Sequence, residues 1–521
     1  MARRALELGA GPGLGAAGIA AALVLVPLAA VFLRAEVTSP LGPADWAAVR
    51  FTVVQALISA ALSTLLAIPV ARALARRRFP GRTLLIALLG APFILPTIVA
   101  VLGLLAVFGR AGILSDTLGL FGLPPVQIYG LHGIVLAHVF FNLPLATRLI
   151  LQGWLEVPAE RFRLAASLGL DARDVNRLIE RPILRATLPG AFLVIFLVCT
   201  TSFAVALALG GGPSATTIEL AIYQAFTFDF DLNRAARLAV VQFAIAALAA
   251  ALSFRLARFA ALGGGLDRPV ERWDARTPTG RALDALVVAL AALFLLIPLA
   301  MIVARGSSAL VSLPPVVWQA ALRSIAVALA SSLLATAGAL AIALAVHRLT
   351  RRQATVVEGA GYAALAVSPL VIGTGLFILL FPVADPFALA LPVTAVVNAL
   401  MSLPFLLRAL VPAVAETETR FGPLADSLGL AGRARLRLLL WPRLRRALGF
   451  SAGLAAALSM GDLGVVALFA PPGGGTLPLE LYRLMAAYRM GDAAGAALLL
   501  LILSLAIFWL FDRGGRANAR A

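Results

Sequence analysis

Apolar stretches long enough to cross a bilayer recur from one end of this chain to the other. A hydrocarbon core is spanned by about 20 apolar residues in a helix, and a helix satisfies its own backbone polar groups where no water can. Twelve spans are expected, near residues 15–33, 53–71, 84–107, 131–151, 188–209, 235–254, 283–303, 324–346, 359–381, 388–407, 447–470 and 493–511. Composition agrees: 61% of residues are hydrophobic and 13% charged, against about 25% charged in soluble domains. The first span follows "MARRALELG". Its long apolar core marks it as a retained helix rather than a cleaved secretion signal.

The formal charge of +18 reports orientation. All 43 basic residues are Arg, and 34 of them fall in or beside the segments that are cytoplasmic if the N-terminus is inside. The other nine belong to the outward side. That bias follows the positive-inside rule, so both termini are expected in the cytoplasm and nucleic acid is not an expected partner. The lone Cys199 has no disulfide mate, and the three His residues lack metal-ligand spacing. No metal site is expected.

The chain repeats itself. Leu143-Pro144 matches Leu403-Pro404, Ser167-Leu168-Gly169 matches Ser427-Leu428-Gly429, and Pro182 matches Pro442, all at an offset of 260. "TIELAIY" (217–223) resembles "TLPLELY" (476–482) at 259, and upstream Arg50 pairs with Arg323 at 273. The first half therefore carries extra residues, expected in segment 109–130. Six spans per half run both copies in one direction through the membrane. Parallel repeats place a pathway at the interface between halves. The fold class is thus an all-α polytopic membrane protein of two parallel six-helix repeats. The halves are 1–257 (core about 48–256) and 285–521 (core about 319–509), and 258–284 is a cytoplasmic linker.

Each half interrupts its apolar run with a polar, Arg-rich segment between its fourth and fifth spans, "LAASLGLDARDVNRLIERPILRATLPG" (164–190) and "LADSLGLAGRARLRLLLWPRLRRALGF" (424–450). Residues 161–169 and 421–429 are expected to be helical, each ended by a Gly, with a second helical stretch leading to Pro182 or Pro442. One copy alone reads as a helix lying on lipid headgroups. Two in register read as paired surfaces for a partner with two equivalent sockets.

These segments resemble the "EAA" loops of type I ABC importer permeases: E-A-A, three residues, Gly, nine residues, Ile, one residue, Leu-Pro. Arg163, Leu164, Ala165, Gly169, Ile179, Arg181 and Pro182 stand on that pattern, as do Pro423, Leu424, Ala425, Gly429, Leu439, Trp441 and Pro442. The Glu is missing from both copies. The resemblance implies that Arg163, Leu164, Ala165, Ala166, Gly169, Leu424, Ala425, Asp426 and Gly429 couple to two copies of an ABC ATPase subunit. It also implies a periplasmic substrate-binding protein and the bacterial inner membrane. "YGLHGIVLAHVFFNLPLATRLILQ" (129–152), "LGGGPSATTIELAIYQAFTFDFD" (209–231) and "SMGDLGVVALF" (459–469) resemble the thiamine permeases of such importers. Thiamine or its phosphate esters is then the substrate; fused ferric-iron permeases are the alternative.

This chain is expected to hold no cofactor and perform no catalysis. A Walker A motif needs a Lys the chain lacks, so ATP and magnesium belong to the partner ATPase. An ion-gradient transporter would favour several buried carboxylates, and an intramembrane enzyme a His/Asp/Glu cluster. Four residues are pathway candidates. Asp462 lies within the eleventh span with Ser202 as its repeat mate, and its carboxylate either attracts a thiazolium cation or bonds neighbouring backbone. His138 and Asn142 share a helix face four residues apart and join helices or touch substrate. Pro96 and Pro369 are expected to kink matched spans.

Overall fold

The computed structural model describes residues 9–35, 40–90, 94–210, 212–256, 277–471 and 473–516. The N-terminal Arg pair, most of the linker and the last five residues lie outside them. The described residues contain helices and no strand. The first half comprises α1 (Gly11–Arg34), α2 (Pro43–Arg76), α3 (Arg82–Leu88), α4 (Thr97–Phe108), α5 (Ile113–Leu120), α6 (Leu131–Leu155), α7 (Ala159–Ser167), α8 (Ala172–Val175), α9 (Arg181–Thr200), α10 (Phe203–Leu209), α11 (Ile218–Thr227) and α12 (Leu232–Leu256). The second comprises α13 (Pro278–Ala309), α14 (Pro315–Val346), α15 (Arg351–Tyr362), α16 (Pro369–Leu380), α17 (Ala390–Ser427), α18 (Gly432–Arg435), α19 (Trp441–Met460), α20 (Gly464–Phe469), α21 (Leu477–Ala486) and α22 (Met490–Arg516). Among the described residues eleven helices are long and apolar enough to cross a membrane; the pair Arg351–Ala366 and Pro369–Leu380, bent by 95°, brings the number to twelve if it is one broken span.

The halves match in element order, apart from α5, which has no counterpart, and α17, which joins what α6 and α7 divide. α8, α9 and the π-helical turn between them (176–180) recur as α18, α19 and 436–440. Upstream, the structural offset is 272 rather than 273. Thr52 Oγ1 accepts from the Ile218 amide at 2.8 Å, and Ser324 Oγ accepts from the Leu477 amide at 2.7 Å. Thr52 and Ser324 are therefore the equivalent pair, and the Arg50–Arg323 alignment is one residue out. The extra residues of the first half sit between α4 and α6 and fold as α5.

Several expected spans are broken. Apolar run 84–107 divides into α3 and α4, run 188–209 into α9 and α10, and run 447–470 into α19 and α20. Pro96 and Pro369 kink no helix: Pro96 caps the start of α4, and Pro369 is the first residue of α16. Pro is tolerated there because the first turn has no intrahelical acceptor for its missing N–H. α13 begins at Pro278, inside the stretch read as linker.

The first helix of each half packs on the other half. Gly375 on α16 approaches so closely that a Cβ there would lie 2.3 Å from the Pro27 carbonyl oxygen of α1. The mate of Gly375 at offset 272 is Gly103 on α4, whose Cβ would meet the Pro298 carbonyl of α13 at 2.7 Å. Small residues allow such backbone approach in membranes, where packing rather than hydrophobicity drives helix association. Asp284 on α13 seals the exchange at one end, accepting from Arg76 at 2.6 Å and Arg77 at 2.5 Å.

Candidate functional site

The two Arg-rich loops have the same shape for the same local reasons. Gly169 and Gly429 adopt left-handed backbone, φ +67° and +65°, which glycine enters without steric cost. The amide of Leu170 reaches back to the Ala165 carbonyl at 3.1 Å, and that of Leu430 to Ala425 at 2.9 Å. This closure satisfies carbonyls that a helix end leaves orphaned. In the first loop Asp171 caps α8, accepting from the Arg173 and Asp174 amides at 2.8 Å each. The second loop has Ala431 there and turns instead with Gly432 at φ +55°.

The expected contact face divides in two. Ala165 and Ala425 are buried, 3% and 2% exposed. Ala165 packs with Phe162 and Val175 inside its own loop. Leu164, Ala166, Gly169, Leu424, Asp426 and Gly429 are exposed. Arg163 is exposed and pairs with Glu160 at 3.2 Å; Asp426 pairs with Arg435. The sequence reading missed Leu168 and Leu428, both 65% exposed, one turn beyond Leu164 and Leu424 at 60% and 59%. Each loop thus presents two leucines four residues apart on one face. It also missed the anchors. Buried Glu180 binds Arg72 of α2 at 2.9 Å, whereas Arg435 binds buried Glu418 of α17 at 3.1 Å. The first loop therefore lies at the same end of the bundle as the C-terminus of α2. In the second loop the first helix is not separate: α17 runs unbroken from its span to Ser427.

The pathway candidates separate into two places. His138 and Asn142 are buried in a network that joins α2, α6 and α9. His138 Nδ1 lies 3.2 Å from Ser59 Oγ. The Asn142 amide donates to the His138 carbonyl at 2.9 Å and approaches Cys199 Sγ at 3.4 Å, while Gln55 donates to the Cys199 carbonyl at 3.0 Å. The second half repeats the arrangement with other residues. Ser402 bonds the Asn398 carbonyl at 2.8 Å, and Asn398 donates to Ser459 at 3.0 Å. Asn398, Ser402 and Ser459 are, position for position, the mates of His138, Asn142 and Cys199.

Ser202 and Asp462 lie at the breaks of the fifth and eleventh spans, half-buried. Asp462 Oδ1 accepts from the Gly464 amide at 3.3 Å, at the start of α20. Its Oδ2 is buried without a hydrogen-bond partner. A Cβ on Gly461 would sit 3.0 Å from Pro96 of the first half, so the break lies where the halves meet. Nearby, Glu219 of α11 is buried with Oε1 unpartnered. Burial, opposed by hydrogen bonds with Ser368 and Gln242, pushes its carboxyl up to about 7. No group of three or more metal-ligating side chains occurs among the described residues.

Two parallel repeats with exchanged first helices, broken spans at their interface and paired loops at one end define an all-α polytopic permease of the ABC-transporter type. The chain belongs to the family of thiamine transport system permease proteins. It is 41% identical over 483 residues to the thiamine transport system permease protein ThiP of Brucella abortus, covering 91% of this chain and 89% of that one. Against the Salmonella typhimurium protein of the same name identity is 40% over 512 residues, 95% of each chain. Against that of Escherichia coli K12 it is 40% over 478 residues, 90% of this chain and 89% of that one. No protein-family model matches the chain.

Proposed function

We propose that this chain is the membrane subunit of an ATP-driven importer that carries thiamine, and its phosphate esters, across the bacterial inner membrane. The observation that carries the reading is the similarity to thiamine transport permeases along nine-tenths of the chain. ATP and magnesium are used by two copies of a separate ABC ATPase subunit. Each copy engages one loop, with Leu164 and Leu168, or Leu424 and Leu428, as the apolar contact. Exposed leucine pairs repeated at an offset of 260 suit a partner that itself comes in two copies. Ala165 and Ala425 act from inside, setting the angle at which the leucines project.

The Arg bias places both loops and both termini in the cytoplasm. Segments 210–232 and 471–492 then face outward, where a periplasmic binding protein delivers substrate. Proteoliposomes holding this chain, its ATPase and its binding protein should accumulate labelled thiamine only when ATP is supplied on the loop side. Accumulation of ferric iron in place of thiamine would overturn the substrate. ATP-independent uptake driven by an ion gradient would overturn the mechanism.

A further inference from the structure

The repeat places an aromatic pair between the halves. Tyr223 on α11 and Tyr482 on α21 are equivalent at an offset of 259, and Tyr482 lies close enough to feel the charge of Tyr223. Both are half-buried. Phe203 extends the aromatic surface, its ring centre 5.3 Å from that of Tyr223. It also leads to the carboxylate. Phe203 Cδ1 and Asp462 Oδ1 each lie 3.8 Å from the point a Cβ on Gly464 would occupy. Rings from both halves and one carboxylate from the second therefore converge.

The electrostatics of that place are unbalanced. Asp462 forms no ion pair among the described residues, and the groups that reach its carboxyl, the amides at the start of α20 and the Asn398 side chain, are all neutral. Arg483, whose charge reaches Tyr223, is engaged by Glu480 at 3.6 Å and the Pro471 carbonyl at 3.2 Å. An uncompensated carboxylate at membrane depth is costly and calls for a cation. Aromatic faces attract cations through the ring quadrupole and stack on planar rings. Ser202, the mate of Asp462, carries no charge, so a bound cation is held to one side of the pseudo-two-fold axis.

We propose that Tyr223, Tyr482 and Asp462, backed by Phe203, form a binding site for a planar heteroaromatic cation passing between the halves. The proposal rests on the thiamine reading above, since thiamine carries a permanent thiazolium charge. The tyrosine rings cover the faces of the cation, and the Asp462 carboxylate meets its charge.

The test uses the complete transporter in cells. Tyr482 is replaced by Phe, then by phenylalanines bearing one, two and three ring fluorines, which weaken the quadrupole stepwise at nearly constant shape. Labelled thiamine uptake should survive Tyr482→Phe and then fall with each fluorine, by between about twofold and thirtyfold across the series. Tyr482→Leu should fall at least as far, with the ATPase still copurifying. A flat fluorine series would overturn the site, because packing alone does not sense the quadrupole. If the wild-type protein carries no thiamine, the substrate reading falls first, and the wild-type measurement shows it separately. Uptake by Asp462→Asn equal to wild type would remove the carboxylate from the site.

Discussion

Replacing Gly375 with Ala tests the exchange of first helices between halves. The added methyl would lie 2.3 Å from the Pro27 carbonyl oxygen, 2.6 Å from its carbon and 2.7 Å from the Pro27 Cβ. Carbon atoms rest near 3.5–4.0 Å, so α1 must retreat from α16 by roughly 1 Å. The obstacle is backbone, which cannot rotate aside as a side chain can. Overpacking of this kind costs about 1–3 kcal/mol, while Ala in place of a helical Gly returns up to ~1 kcal/mol. The net is a destabilisation of up to about 2 kcal/mol. Gly18, on α1 itself, has nothing within 4 Å of its Cβ position, so Gly18→Ala keeps the propensity gain without the clash. Thermal unfolding in detergent should place Gly375→Ala below wild type and Gly18→Ala at or above it. Gly103→Ala, against the Pro298 carbonyl at 2.7 Å, should follow Gly375→Ala. The reasoning is refuted if Gly375→Ala melts with Gly18→Ala, for then α1 does not seat on α16.

Three further outcomes follow from single features. Leu164→Ala combined with Leu168→Ala should reduce ATPase copurification severalfold without lowering the melting temperature, because both leucines are already exposed; an unchanged pull-down would remove them from the contact. Glu219 binds its proton more tightly folded, with its carboxyl pushed up to about 7, than unfolded, where ~4.3 is usual. Its proton is lost from the unfolded chain first, so stability should fall as pH rises from about 4.5 to about 7, and melting of Glu219→Gln across that window should show a flatter profile. Tyr488 is exposed and holds left-handed backbone at φ +58°, so Tyr488→Gly should stabilise the protein by roughly 1 kcal/mol, and a lower melting temperature would show that the ring is held by something besides strain.

Much of this architecture was legible because a repeat constrains far more than a single segment does. A constant offset of 260 from Leu143 to Pro182 fixed the two-half plan, and two glycines at matched positions fixed where each loop turns. Hydropathy could not show the breaks. Residues 201–202 and 461–463 sit inside apolar runs, and a window averaging across them sees one continuous span. Nor could it show the exchange of α1 and α13, since a greasy helix carries no record of which neighbour it meets. The Gly–Pro correspondence (Gly103 with Pro298, Gly375 with Pro27) records it, but the members of each pair lie nearly 200 and 350 residues apart.

The same limit explains the loops' anchors. Glu180 and Glu418 occupy unrelated positions in the repeat, and each finds its Arg from a different direction: α2 for one, the loop's own second helix for the other. The repeat therefore preserves the shape of the loop while its supports have diverged. Divergence is also what the interface requires. The halves remain alike at Tyr223 and Tyr482 and differ at Ser202 and Asp462. A symmetric pair of carboxylates would hold a cation equally on both sides and repel across the axis. One carboxylate on a two-fold frame avoids that repulsion and leaves the opposite wall neutral.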